Sequence, residues 1–327
     1  MEADKKVLAD LVASVDASQR IALIMHVSPD GDTCGSAFAL RRALVSYGKE
    51  VTLVCDHRVP HIYDDLDGAD MVMKPDALAG EVFDLGFAID VADRLRMGES
   101  AAVFDAARHT AQIDHHGTNP GYAEVNYVRS PLSATGVLAM EVIDALDVPL
   151  DRSMAKCLFV AITTDTGNFK KQNTDAAALR VSARCIAIGI DTASITRRVF
   201  DLRPYEQVKL LARALQSLTV FEDGQIGLMR LSLRDFEDTG ALSEHTEGII
   251  DFGINTEGVQ IAALMSQKGE KIRCSLRSMP PYDVSRVASD LGGGGHTLAA
   301  GCTLEPPMAA ASRRLRTALR KELHRHE

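Results

Sequence analysis

Short apolar runs alternate with helical spacing of apolar residues along the first half of the chain. The apolar runs predict strands at 21–25, 51–55, 83–90 and 111–113, with an edge strand at 126–128. Helical spacing predicts an amphipathic helix at the N-terminus and further helices at 35–47, 137–146 and 154–163. Strands that alternate with helices require crossover connections, which favour a mainly parallel sheet.

The second half of the chain follows a different pattern. Residues 174–218 show helical spacing with an interruption at Arg203 and Pro204, and we interpret 191–218 as a helical connector between domains. Shorter alternating strands follow at 227–231, 259–265 and 271–278. The predicted fold class is α/β, with a parallel-sheet domain at 1–190 joined by the connector to a smaller mixed α/β domain at 219–327.

Composition is that of an ordinary globular protein. The 327 residues favour two domains, 46% of them are hydrophobic, and no apolar run approaches the length of a membrane span. The N-terminal segment lacks the apolar core of a signal peptide, so we expect a cytoplasmic protein. Six widely spaced cysteines without a CxxC pair argue against a disulfide framework or a zinc ribbon.

Net charge restricts the class of partner. A net charge of −9 and the absence of Trp argue against a long nucleic acid, because duplex binding needs a basic surface and single-strand binding needs stacking aromatics. A mononucleotide or a very short oligonucleotide remains compatible with this composition.

The first candidate metal ligands directly follow the first predicted strand. His26, Asp30 and Asp32 lie between that strand and the next helix, at the edge where open α/β sheets bind their ligands. Three such side chains in one loop indicate a metal site. The alternative is that Asp30 or Asp32 caps the helix, since Asp is a preferred N-cap residue.

Further acids and imidazoles follow the later strands. Asp90 ends the third strand, and Asp114, His115 and His116 follow the fourth, so parallel pairing would bring them to the same edge. Imidazoles crowded beside carboxylates favour metal coordination or proton transfer. Asp165 follows a predicted helix, and a plain helix C-terminal turn is the alternative there.

Four further features are weaker candidates for anion or metal binding. The segment 133–136 predicts a Ser or Thr helix cap and a small-residue turn suited to an anion. Cys34, His57 and His61 are metal ligands by residue type alone. We interpret Cys34 as a small core residue and the two histidines as parts of a solvated loop.

The glycine run at 292–295 precedes His296 and offers either a flexible loop or a phosphate-binding backbone. The strand at 271–278 alternates, with Arg273, Ser275 and Arg277 on one face. Because an arginine-bearing strand lies nearby in the chain, we favour phosphate binding for the glycine run.

The motifs together resemble one family. HVSPDGDTCGS, FAID, DHH and TDTGNF occur in the order and approximate spacing of the DHH phosphoesterases, and SLRS with GGGGHTLAAGC resembles the DHH-associated C-terminal domain. The similarity covers nearly the whole chain and looks most like the nano-RNase and pAp-phosphatase branch. RecJ-type exonucleases are longer, and family II pyrophosphatases lack the GGGGH signature.

The resemblance implies two Mn²⁺ ions, with Mg²⁺ or Co²⁺ as substitutes, and a role for each motif residue. One ion would be held by His26 and Asp30, the other by Asp32, His115 and Asp165, with Asp90 bridging them. His116 would lie against the scissile phosphate, supported by Asp114, so that the implied catalytic residues are His116, Asp90 and Asp114. The implied substrate-binding residues are Arg277, Ser278, Gly294, Gly295 and His296.

The activity implied by the resemblance is hydrolysis of short oligoribonucleotides and linear dinucleotides such as pApA and pGpG, with dephosphorylation of pAp. A second domain that closes over the metals would limit the length of the substrate. A cyclic-dinucleotide phosphodiesterase and a pyrophosphatase-like hydrolase of small metabolites are the alternatives. We expect no membrane and no long duplex as partner, and the sequence leaves open whether the chain forms a homodimer.

Overall fold

The computed structural model describes residues 2–325. The chain divides into two compact units, Met1–Leu202 and Arg203–Glu327. This division falls inside the predicted connector, because Ile195 packs in the core of the first unit and Leu210 in a core of the second. The predicted boundaries at 190 and 219 therefore stay predictions.

The first unit is a parallel sheet covered by helices. Its strands are β1 (Arg20–Met25), β2 (Glu50–Val54), β3 (Val72–Met73), β4 (Leu85–Ile89), β5 (His109–Asp114) and β6 (Val125–Val128). Its helices are α1 (Glu2–Asp16), α2 (Gly31–Ser46), α3 (Ala101–Ala106), α4 (Thr135–Ala145), α5 (Arg152–Asp165), α6 (Ala176–Ala187) and α7 (Thr192–Thr196). The strand order is β3-β2-β1-β4-β5-β6 with parallel pairing throughout, as the alternating pattern predicts.

The central strands are apolar because both faces of the sheet are covered. Ile21 and Leu23 of β1 pack into a core shared with α2, α4 and α5. Ala22 and Ile24 point the other way and pack against Val103, on the face that carries α3. Because both faces of the sheet are covered, the polar side chains lie at the carboxyl ends of the strands.

Two glycines allow α5 to pack closely against its neighbours. A Cβ atom built on Gly35 of α2 would lie 2.3 Å from the carbonyl oxygen of Cys157, and one on Gly136 of α4 would lie 2.7 Å from the Cβ of Ala161. Both distances are below van der Waals contact, so a side chain at either position would push α5 away. Close packing of α5 brings its last residue, Asp165, to the same edge as the strand ends.

Helix boundaries differ from the prediction at three places that matter for the site. Helix α2 begins at Gly31 rather than at residue 35, because Asp30 caps it, and Asp32 therefore lies in the first helical turn and not in a loop. Helix α4 begins at Thr135 after Ala134, whose side chain caps nothing, so the predicted Ser or Thr cap is wrong. Helix α5 extends to Asp165, two residues past the predicted end.

The second unit contains a mixed sheet. Its helices are α8 (Tyr205–Gln216), α9 (Leu233–Thr239), α10 (Ile249–Ile254), α11 (Val284–Asp290) and α12 (Met308–Leu323). Its strands are β7 (Thr219–Phe221), β8 (Ile226–Leu231), β9 (Ile261–Lys268), β10 (Lys271–Ser278), β11 (Gly294–His296) and β12 (Ala299–Leu304). The order is β11-β12-β10-β9-β8-β7, with β8 and β9 parallel and the other pairs antiparallel.

Strand β10 alternates as predicted, with Ile272, Cys274 and Leu276 in the apolar core and the intervening residues facing outward. The glycine run is not a flexible loop, because Gly294–His296 forms an edge strand paired with β12. All six cysteines are buried and free, and Cys34 packs in the core of the first unit, as we interpreted it.

Within residues 2–325, no helix combines the length and the apolar character needed to cross a membrane.

Candidate metal centre

The structure brings the histidines and aspartates predicted as metal ligands together at one edge of the parallel sheet. Strands β1, β4 and β5 are neighbours in the sheet, so the residues that follow them converge. Asp165 joins them from the end of α5. Within residues 2–325, three sets of side chains have potential ligand atoms within 4.8 Å of one another: His26 with Asp30 and Asp90, Asp32 with His115 and Asp165, and Asp90 with His115 and His116.

Asp90 lies at the centre of this arrangement. Its Oδ2 lies 3.8 Å from Nε2 of His26, and its Oδ1 lies 3.8 Å from Nε2 of His115. Thr33 donates a hydrogen bond of 2.7 Å to Oδ2, and Thr135 donates one of 2.8 Å to Oδ1. The two oxygens therefore face different imidazoles, and the threonines fix the carboxylate in that orientation. The backbone of Asp90 has a positive φ of 61°, a strained conformation of the kind found at functional sites.

His26 and Asp30 form one side of the site. The His26 side chain is 1% exposed, and its Nδ1 lies 2.7 Å from the carbonyl oxygen of Val27, so that a proton on Nδ1 leaves the Nε2 lone pair facing the carboxylates. Asp30 is 60% exposed and lies 3.8 Å from that Nε2. Its Oδ1 also accepts from the backbone N–H groups of Asp32 and Thr33 at 3.1 Å. Asp30 therefore caps α2 and is also available to a cation.

Asp32, His115 and Asp165 form the other side. Nε2 of His115 lies 3.8 Å from Oδ2 of Asp32 and 3.5 Å from Oδ2 of Asp165. Nδ1 of His115 lies 3.0 Å from the carbonyl oxygen of Leu132, a contact that again directs Nε2 toward the acids. Both imidazoles thus present the same ring nitrogen to carboxylates.

The N-terminus of α4 binds the side chain of Asp32. The backbone N–H groups of Thr135 and Gly136 donate to its two oxygens at 2.6 and 2.9 Å. The small-residue turn that we predicted to suit an anion therefore binds an anion of the protein itself. Ser36 adds a third donor at 3.1 Å.

His116 and Asp114 form a hydrogen-bonded pair beside Asp90. Nδ1 of His116 lies 2.7 Å from Oδ1 of Asp114 and 3.6 Å from Oδ1 of Asp90. The hydrogen bond that Nδ1 of His116 donates to the Asp114 carboxylate outweighs the effect of burial and raises the pKa of His116. Burial alone would raise the pKa of Asp114, but hydrogen bonds from His116 and Asn119 hold it below its usual range. The pair therefore favours an imidazolium at His116.

The carboxylates of Asp32 and Asp90 are buried close to other acids, an arrangement that a bound cation would stabilise. Burial, followed by the charge of Asp30, raises the pKa of Asp90 to about 6. Burial, and then the charges of Asp90 and Asp165, raise the pKa of Asp32 well above its usual range. In the part of the chain that the structure describes, no lysine or arginine pairs with Asp32 or Asp90. Histidine nitrogens and carboxylate oxygens that converge without a basic partner fit a divalent metal.

Other candidates lie outside these groups. His57 accepts from the backbone N–H of Ser28 at 3.0 Å, and His61, 92% exposed, contacts Asp64. Both fit the solvated loop that we favoured for them. The sequence did not single out Thr33 or Arg96 and considered Thr135 only as part of a helix start, although all three contact the predicted ligands.

The predicted substrate-binding residues lie in the second unit. Arg277 is half-buried on the outward face of β10, and Ser278 is buried with its hydroxyl donating 2.8 Å to the carbonyl of Tyr282. Gly294 and Gly295 lie on the exposed edge strand with His296. Their role toward a substrate stays a prediction.

Comparison with known proteins identifies the family. A model described as the DHH family, N-terminal domain, matches residues 20–162, and one described as the DHHA1 domain matches residues 233–324. A Thermus thermophilus protein named bifunctional oligoribonuclease and PAP phosphatase NrnA is 31% identical over 98% of this chain and 94% of its own length. The Bacillus subtilis protein of the same name is 21% identical over 90% of this chain and 92% of its own.

A solved structure shows the same fold. An exopolyphosphatase-related protein from Bacteroides fragilis matches with a TM-score of 0.85 and 23% identity, covering 97% of this chain and 96% of that one. A structure of the exonuclease RecJ bound to manganese matches with a TM-score of 0.52 and 15% identity, over 97% of this chain and 94% of that one. On the evidence of both family models and of the Thermus thermophilus relative, this chain belongs to the DHH family and carries a DHHA1 domain.

Proposed function

We propose that this protein is a metal-dependent hydrolase that converts short oligoribonucleotides and linear dinucleotides to mononucleotides and removes phosphate from pAp. The observation that carries the proposal is the placement of Asp90, whose two oxygens face two separate groups of histidine and aspartate. The names of the Thermus thermophilus and Bacillus subtilis relatives support the substrate class.

The ligand set supports two divalent cations, with Mn²⁺ preferred and Mg²⁺ or Co²⁺ as substitutes. His26, Asp30 and Asp90 would hold one, and Asp32, His115 and Asp165 would hold the other together with Asp90. Mixed nitrogen and oxygen ligands suit Mn²⁺ better than Mg²⁺, which prefers oxygen and retains its waters. When bound, the cations would supply Lewis acidity to the phosphate and activate the water that attacks it.

The chain's own residues supply the remaining chemistry. His116, with its pKa raised by Asp114, would donate a proton to the leaving oxygen of the phosphate ester or stabilise charge on the phosphate. Asp114 would orient His116 by accepting from its Nδ1. Thr33 and Thr135 would keep the oxygens of Asp90 directed at their separate partners.

The DHHA1 domain supplies candidate phosphate ligands, and Gly294 is the informative one. A Cβ on Gly295 would lie 2.5 Å from the Cα of Ala300, so packing within the unit explains that glycine. A Cβ on Gly294 would meet nothing within 4 Å, so the fold places no steric demand for glycine there. Close approach of a substrate phosphate to the backbone would account for it. We propose that Gly294, Gly295, Arg277 and His296 bind that phosphate, with Ser278 supporting β10.

This role can be tested separately from metal binding. Gly294→Ala and Arg277→Ala should retain the metal content and thermal stability of the wild type. Loss of one charge-assisted hydrogen bond to phosphate should lower kcat/KM for Arg277→Ala by about tenfold to a hundredfold. Loss of bound Mn²⁺ in either variant, measured by elemental analysis, would contradict the assignment of these residues to substrate.

Substrate length tests the proposed function itself. A net charge of −9 and 5% aromatic residues offer little to a long strand, so a dinucleotide should be hydrolysed much faster than a strand of about 24 nucleotides. The assay is a competition between the two labelled substrates with Mn²⁺, with pAp and cyclic dinucleotides assayed in parallel. Equal or faster degradation of the long strand would favour a RecJ-like exonuclease. The cytoplasmic location remains a prediction, and the oligomeric state remains open.

A further inference from the structure

Arg96 lies in the short 3-10 helical segment Arg94–Ser100 that follows β4, beside a proposed metal ligand. Its Nη2 lies 3.2 Å from Nδ1 of His26. The segment is fixed there, because the carbonyl oxygen of Arg96 accepts from the backbone N–H of Val27 at 2.7 Å and the next side chain, Met97, is fully buried. The guanidinium thus starts from a fixed backbone and lies one imidazole ring away from the His26 nitrogen that faces Asp30.

The contact with His26 cannot satisfy Arg96 while His26 binds a cation. Nδ1 of His26 also lies 2.7 Å from the carbonyl oxygen of Val27. A neutral imidazole nitrogen either donates or accepts, whereas a guanidinium only donates. When Nε2 is used as a ligand, Nδ1 carries the proton and donates to Val27. Arg96 then has no acceptor at His26.

The protein supplies no acidic partner for Arg96. Arg94, two residues earlier, forms an ion pair with Asp105, and both side chains are about half exposed. Arg96 is exposed, and no carboxylate among residues 2–325 forms an ion pair with it. The same segment therefore carries Arg94, which is paired with a carboxylate, and Arg96, whose N–H donors remain available to a ligand beside His26.

We infer that Arg96 binds a phosphate of the substrate on the His26 side of the site. A planar guanidinium donates two parallel hydrogen bonds to phosphate, which makes arginine well suited to this role. His116 lies against Oδ1 of Asp90, whereas His26, the neighbour of Arg96, faces Oδ2, so the two basic groups lie on the sides of different oxygens of that carboxylate. The identification of the phosphate as part of a nucleotide rests on the proposed function, whereas the phosphate site itself rests only on the binding of a cation by His26.

The test compares Arg96→Ala and Arg96→Lys with Arg94→Ala as the matched control. For each protein loaded with Mn²⁺, calorimetry measures the binding of inorganic phosphate, elemental analysis measures metal content, and pAp hydrolysis measures kcat/KM. Arg96→Ala should weaken phosphate binding and lower kcat/KM, each by about tenfold to a hundredfold, with metal content unchanged. Arg96→Lys should recover part of the loss, and Arg94→Ala should match the wild type.

Unchanged phosphate binding in Arg96→Ala would overturn the inference. Loss of Mn²⁺ in that variant would overturn it too, since Arg96 would then position His26 rather than bind substrate. If the wild type hydrolyses no nucleotide but Arg96→Ala still weakens phosphate binding, the proposed function fails and the phosphate site stands.

Discussion

Replacing Asp90 with asparagine should change stability in opposite directions with and without metal. Burial and the neighbouring charge of Asp30 raise the pKa of Asp90 to about 6 in the folded protein. An unfolded chain has an Asp pKa of about 3.9, so the folded state binds more protons between the two values. The contribution of Asp90 to the stability of the metal-free protein therefore falls as pH rises from about 4 to about 6. Asparagine cannot ionise and removes this dependence.

The size of the stability change in Asp90→Asn follows from how far the pKa of Asp90 is raised. A difference of roughly two pKa units corresponds to about 3 kcal/mol of destabilisation by ionised Asp90 at pH 7. Asparagine has one acceptor oxygen for the two hydroxyls of Thr33 and Thr135, and the lost hydrogen bond costs about 1 kcal/mol. The metal-free Asp90→Asn variant should thus be about 2 kcal/mol more stable than the wild type at pH 7. Its advantage should disappear near pH 4.

Thermal unfolding of chelator-treated protein by calorimetry measures this difference. For a unit of this size, about 2 kcal/mol corresponds to an increase in Tm of roughly 4–8 °C. Mn²⁺ at about a hundred times its Kd should stabilise the wild type by about 2.7 kcal/mol and Asp90→Asn hardly at all. Asp105→Asn, which removes a surface partner of Arg94, is the control and should show no such reversal.

Equal destabilisation of Asp90→Asn with and without Mn²⁺ would refute this reasoning. Asp90 would then be a structural residue that serves its threonine partners alone, and the two-cation assignment would lose its central ligand.

Two further predictions concern packing and proton transfer. Gly35→Ala should lower the free energy of unfolding by about 1–3 kcal/mol, because its Cβ would lie 2.3 Å from the Cys157 carbonyl oxygen and displace α5. Thermal unfolding measures this loss, and a wild-type Tm in the variant would contradict the packing argument. Asp114→Asn should lower the pKa of His116, so the alkaline fall of kcat/KM should move to lower pH in a pH–rate profile. An unmoved profile would exclude His116 as the proton donor.

The sequence by itself determined much of the first unit, and it predicted which side chains meet at one edge of the sheet. Apolar runs marked the strands because a sheet covered on both faces needs apolar residues on both faces. Polar side chains at the ends of those runs marked the candidate metal ligands, since parallel strands share one carboxyl edge. Asp90 and His115 could therefore be proposed together although they are far apart in the chain, whereas the ligand role of Asp165, at the end of a helix, came from the family resemblance.

Tertiary structure decided the details that depend on contacts between distant segments. The α4 N-terminus binds Asp32, more than a hundred residues earlier in the chain, and the sequence pattern of either segment showed only a turn suited to some anion. Local sequence describes the donors of a helix end, but it cannot say which acceptor occupies them.

The glycine run and Arg96 illustrate the same limit. Four glycines are compatible with a loop or a strand, and the pairing of Gly294–His296 with β12 decided for the strand. Arg94 and Arg96 have the same side chain two positions apart, yet Asp105 pairs with the first and His26 lies beside the second. The difference between a surface ion pair and a candidate phosphate ligand lies in what the fold places within reach of each guanidinium, because charge interactions depend on distance in space and not on separation along the chain.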